Sequence, residues 1–136
     1  MAIINSLEKC LDSPYLRQDA TAPEQVGGLI QFASERLELA SALHRTPKSD
    51  PADTVMLAYE AMFACVRALV YREGYREASL RCLLIALDHF YVRTNRLDPS
   101  LIHEFHRAQS LELGPEQAIG ACQRLLDRTR ELTSHH

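Results

Sequence analysis

A chain of 136 residues, 46% hydrophobic and 24% charged, has the size and balance of one folded domain rather than of a disordered polymer. At this length roughly two thirds of the unfolded chain's surface can be buried, so neither a metal nor a disulfide is needed for folding. Five Gly and six Pro leave little room for the turns of an all-β protein, and a net charge of −3 excludes a polycation built to coat nucleic acid.

Apolar spacing predicts a first helix from Ile3 to Leu11, with Ile3, Ile4, Leu7 and Leu11 on one face. DSPYLRQDATAPEQ reads as a connector with two prolines, and Thr21-Ala22-Pro23-Glu24 as a helix start. The second helix runs to Leu43 on the stripe Val26, Ile30, Ala33, Leu37 and Ala40, with Gly27-Gly28 weakening its first turns. HRTPKSDP is a polar loop. Asp50-Pro51 then supplies an N-cap and a first-turn proline.

The third helix extends to Glu73. Val55, Tyr59, Met62, Phe63, Val66, Leu69 and Val70 hold the helical spacing, while Ala58, Ala61 and Ala64 permit close approach of a neighbour. Gly74 stands where a left-handed cap is needed. Ser79 caps a fourth helix carrying Leu80, Leu83, Leu84, Leu87 and Tyr91, which ends at Asn95. Asp98-Pro99 repeats the capping device before Leu101, Ile102, Phe105 and Ala108. Gly114-Pro115 separates this fifth helix from a sixth with Ile119, Cys122, Leu125 and Leu126. The expectation is an all-α antiparallel bundle of five to six helices, one domain over 1–136, with the third and fourth helices as its central pair.

Cys10, Cys65, Cys82 and Cys122 form no C-x-x-C pair, which predicts buried reduced thiols in a cytoplasmic protein. MAIINSLEKC lacks the pattern of a signal peptide, and no run approaches the ~18 consecutive apolar residues of a membrane span. Charge is uneven: residues 61–96 carry six Arg against three acids. Guanidinium suits bidentate recognition of phosphate or carboxylate, although solvated arginines on a helix-turn-helix account for the same composition.

The string AYEAMFACVRALVYREGYREAS resembles the small HEPN proteins (higher eukaryotes and prokaryotes nucleotide-binding), whose usual form reads roughly AYxAMFHAARALLxxxGYRxxSH. The likeness covers about Val55 to Arg96. It implies a HEPN-like helical domain that homodimerises and partners a minimal nucleotidyltransferase, or a nucleotide or RNA, in a toxin–antitoxin-like system. Two departures bear on catalysis. Ala64 and Leu80 stand where the family pattern has histidines, and RAQSLELGPEQ replaces the family's polar LRxxADY segment.

HEPN ribonucleases are known for Arg-x4-6-His, in which imidazole moves a proton and guanidinium stabilises charge on the phosphate. Here Arg96 to His103 crosses the Asp98-Pro99 helix start, and Arg128 or Arg130 to His135 reaches the last residues of the chain. His103 and His106 are near enough on a helix to share a metal, with His89 as a third ligand. Surface histidines flanking a core Phe105 are the plainer reading. Asp88-His89 point about 100° apart on a helix, which argues against a polarised imidazole.

Tyr59 and Arg67 match the family pattern, and Arg72, Tyr75, Arg76 and Arg81 complete an aromatic-basic cluster around the turn. Such residues can stack bases and meet phosphates, or cover the ends of two helices. No nucleotide-binding or hydrolase fingerprint is present. The expected function is a non-catalytic HEPN-like interaction module with no cofactor or metal. The alternatives are a metal-independent RNA endonuclease of the toxin class and a helical scaffold without a nucleotide role.

Overall fold

The computed structural model describes residues 3–134. Along the chain lie α1 (Leu7–Leu11), β1 (Leu16–Gln18), a 3-10 turn (Ala22–Gln25), α2 (Val26–His44) and α3 (Pro51–Arg72). β2 (Tyr75–Glu77), α4 (Leu80–Leu87) with a π-helical continuation (Asp88–Val92), α5 (Pro99–Gln109) and α6 (Pro115–Thr133) follow. The architecture is an all-α bundle with one small two-stranded ribbon.

Local chemistry sets the helix ends. Asp50 accepts from the Ala52 N–H and Asp98 from the Ser100 N–H, each ahead of a first-turn proline. Ser79 accepts from the Cys82 N–H to start α4. Gln117 reaches back to the Gly114 N–H at 3.0 Å to start α6. Gly74, at φ +88°, closes α3 by donating to the Tyr71 carbonyl. α1 begins only after Ser6, which accepts from the Lys9 N–H, so Ile3 lies outside the helix and is exposed.

The central helix is α3, whose Ala58, Ala61, Met62, Ala68, Leu69 and Val70 are fully buried. Its most extensive packing is against α2 and α6, not α4. The expected α3–α4 central pair is therefore corrected. α4 has only eight residues, whereas the 19-residue α2 lies alongside α3 across a short loop. Buried Ala33 and Ala40 of α2 and Ala58 and Ala61 of α3 allow their axes to come close.

The 12–25 connector also departs from expectation. It holds β1, which pairs antiparallel with β2 in the register Leu16↔Glu77, Arg17↔Arg76, Gln18↔Tyr75. The Asp19 N–H to Gly74 O and Ala78 N–H to Tyr15 O bonds, both 2.8 Å, extend the ribbon at each end. Such a strand has no local periodicity to betray it, because its partner is remote in sequence.

Helix four continues past Leu87 as a π turn, with the Arg93 N–H donating to the Asp88 carbonyl at 2.9 Å. Tyr91 there is fully buried and donates its hydroxyl to the Leu69 carbonyl at 2.8 Å, tying the turn to α3. Asn95, in the left-handed region at φ 59°, ends the segment.

The cysteine expectation holds for two of the four residues. Cys65 and Cys122 are free and buried. Cys10 and Cys82 are joined as a disulfide, with Cα atoms 5.7 Å apart and 72 residues between them in sequence. The all-reduced reading is corrected, because packing of α1 on α4 creates a proximity that cysteine spacing cannot reveal. α3 alone among the described helices is long and apolar enough by composition to cross a membrane, and its apolar window is mostly buried among the other helices.

Candidate functional site

The six aromatic and basic residues singled out in the sequence do not converge. Tyr59 and Arg67 line a groove between α2 and α3. Tyr75 packs on Phe90 with ring centroids 5.4 Å apart. Arg76 pairs with Asp19 at 3.1 Å and lies over the Tyr71 ring. Arg81 donates to the Ile4 carbonyl at the edge of an apolar hollow formed with Leu84, Ile85 and Ile102. Arg72 occupies the last turn of α3.

Several arginines of the basic turn are held by carboxylates. The Glu77 carboxylate has 6% side-chain exposure and accepts from Arg67 Nε at 3.2 Å and from the Tyr71 hydroxyl at 2.6 Å. Burial, followed by the Glu77 contact, pushes the Tyr71 phenol up to about 12. Asp19 links Arg76 to Arg17, which is 3.8 Å away. Hydrogen bonds from Thr21 are the main reason its carboxyl sits below the usual aspartate range. Arg96 joins Glu73 at 3.5 Å and the Phe90 carbonyl at 2.6 Å, and lies over the Tyr91 ring. A phosphate arriving at this turn would compete with these contacts.

The α2–α3 groove encloses about 370 Å³, with Leu29, Phe32, Tyr59 and Phe63 around an Ala64 floor. Tyr59 stacks on the buried Phe105 at 5.0 Å and meets Phe63 edge-on at 5.9 Å. Burial raises the Tyr59 phenol above its ordinary value. Arg67 lies over the Phe63 ring at 4.4 Å and Arg36 over the Phe32 ring at 4.8 Å. Arg36 also pairs with Glu60 at 3.3 Å across the two helices.

Beyond this ion pair the exposed face continues through Leu39 and Met56, 50% and 52% exposed. Leu29, Phe32, Arg36 and Leu39 form a second stripe on α2, at helical spacing and outside the core stripe. Its period is legible in the sequence, although the core stripe alone is enough to mark the helix. Met56, Tyr59, Glu60, Phe63 and Arg67 form the matching stripe on α3. Ala64 lies in the groove floor and bears only a methyl group where the HEPN pattern has imidazole.

His103 and His106 are exposed on either side of the buried Phe105, and His89 is exposed beyond the end of α4. Among the described residues no three His, Cys, Asp or Glu side chains gather as a metal-holding group. His135 and His136, the end of the second Arg/His match, lie outside the described residues. No family model, curated protein or solved structure matches this chain.

Proposed function

We propose that this chain is a HEPN-like, non-catalytic interaction module whose outer α2–α3 face pairs with a second copy of the same chain. The carrying observation is a continuous exposed face of Phe32, Leu39 and Met56 beside the Tyr59–Phe63 groove, crossed by the Arg36–Glu60 ion pair. Scattered exposed apolar residues need no partner, but an apolar face two helices wide marks an interaction surface.

Its charge pattern favours a copy of itself. A two-fold axis near the centre of the face sets Arg36 of one protomer beside Glu60 of the other, and the reverse, as an isologous interface requires. Four antiparallel helices then share one apolar layer. The resemblance adds a minimal nucleotidyltransferase as a heterologous partner. Contact with RNA or nucleotide through Arg72, Arg76 and Arg81 would require the Arg76–Asp19 pair and the Arg81–Ile4 bond to open.

Sedimentation of the parent protein at micromolar concentration should give a dimer. Phe32→Glu and Met56→Glu, at exposed sites, should each give a folded monomer. Arg36→Glu and Glu60→Arg should each weaken association about tenfold or more, and the double exchange should restore it. A monomeric parent, or dimers untouched by all four variants, would reject the reading.

A further inference from the structure

Residues 3–14, ahead of the β ribbon, form an arm laid on the bundle. Its one helix, α1, has five residues and packs chiefly on α4 and β1. So short a helix does not hold itself in water. Within the arm only Cys10 is buried; Ile4 and Leu7 are partly covered, and Leu11 is exposed. The arm is tied to α4 by the Cys10–Cys82 bond and by the hydrogen bond from Arg81 Nε to the Ile4 carbonyl.

Past Pro14 the anchorage changes. Leu16 is buried, and the Ala78 N–H donates to the Tyr15 carbonyl at 2.8 Å, so the ribbon holds independently of the bond. Residues 12–14 belong to neither helix nor strand and make a pivot between the two anchorages. Asn5 of the arm walls an apolar hollow of about 480 Å³, lined by Leu84 and Ile85 of α4 and Ile102 of α5.

We propose that the Cys10–Cys82 bond is a redox latch. Oxidised, it keeps the arm on α4; opened by a dithiol reductant, it lets the arm swing out about residues 12–14 and uncovers the apolar flank of α4. Both sulfurs are buried, so attack follows an outward excursion of the arm. One thiolate of the reductant attacks one sulfur, and the other sulfur leaves as a thiolate and takes up a proton. The second thiol of the reductant then resolves the mixed disulfide. The reductant ends as a disulfide, and Cys10 and Cys82 end as two thiols, having gained two electrons and two protons. Without the bond, one hydrogen bond and two partly covered side chains do not offset the entropy of ordering about a dozen residues. Cys65 and Cys122 stay outside this exchange. They are buried in α3 and α6, and burial pushes the Cys65 thiol up to about 12 and raises Cys122 likewise.

The test compares the whole protein oxidised, reduced with dithiothreitol, and reoxidised after its removal. Trypsin should cut after Lys9, on α1, at least about tenfold faster in the reduced protein. Amide signals of residues 7–12 should move to random-coil positions on reduction, and those of Arg81 to Ile85 should shift. Signals of α3 and α6 should keep their helical character, and reoxidation should reverse every change. Cys10→Ala/Cys82→Ala should match the reduced parent with or without dithiothreitol, and Cys65→Ala should respond like the parent. An arm equally protected in both states, or loss of the helical signals of α3 and α6 on reduction, would overturn the proposal. So would a response that Cys65→Ala abolishes.

Discussion

Glu77 is the residue on which the turn after α3 depends. Its carboxylate is almost fully buried and holds two donors, Arg67 and Tyr71, from successive turns of α3. Glu77→Ala leaves both without their acceptor, and should lower unfolding free energy by about 3 kcal/mol in denaturant titration. Tyr71 gives a signature in pH. Its phenol is raised from 10.0 to about 12 in the folded chain, so folding holds a proton that the unfolded chain releases first. The contribution is fully present below pH 10 and is lost as pH rises through about 12. Burial raises Cys65 to about 12 and lifts Tyr91 and Cys122 in the same direction, so all four steepen the alkaline limb. Melting temperature should therefore fall from about pH 9, where the unfolded cysteines begin to ionise, through about 12, and Tyr71→Phe should make the fall above pH 10 shallower. An unchanged slope would remove Tyr71 from this account.

At the scale of elements, legibility followed the range of the interaction. Asp50-Pro51, Ser79 and Asp98-Pro99 act within three residues, and the sequence shows both the caps and the helices they start. β1 and the Cys10–Cys82 bond depend on contacts far along the chain, and nothing within DSPYLRQ or around Cys10 announces them. The candidate site divides in the same way. Tyr59 and Arg67 were visible by pattern, but Asp19, which disarms Arg76, comes from another part of the chain. The bond between α1 and α4 leads to a direct count. Unfolded under non-reducing conditions, the protein should titrate with two free thiols, and after reduction with four. Closing a 72-residue separation restricts the unfolded chain by up to about 4 kcal/mol in the chain-entropy view. The Cys10→Ala/Cys82→Ala protein should accordingly melt well below the oxidised parent. Four thiols before reduction would show that the bond does not form.

For the whole molecule, charge placement matters more than charge excess. Residues 61–96 carry a +3 surplus in sequence. In the fold, Asp19 from outside that segment meets Arg76, while Glu77 and Glu73 within it occupy Arg67 and Arg96. An approaching polyanion meets Arg67, Arg76 and Arg96 already holding carboxylates, and Arg81 holding the Ile4 carbonyl. Catalysis faces a further obstacle. Ala64 and Leu80 offer no imidazole, His103 and His106 sit on α5, and Arg96 is held by Glu73 and the Phe90 carbonyl. Arg96, the arginine of the Arg96–His103 match, is therefore already engaged and would have to leave Glu73 to stabilise charge at a phosphodiester. The protein truncated before His135 should leave labelled RNA intact over long incubation. Its RNA binding should be weak, and should fade between low and physiological salt as exposed charges are screened. Arg72→Ala/Arg76→Ala/Arg81→Ala should reduce that residual binding further, because it removes three cations and leaves the Asp19 carboxylate without Arg76. Robust cleavage by the truncated protein, or loss of tight RNA binding in the triple variant, would restore the turn as a nucleic-acid site.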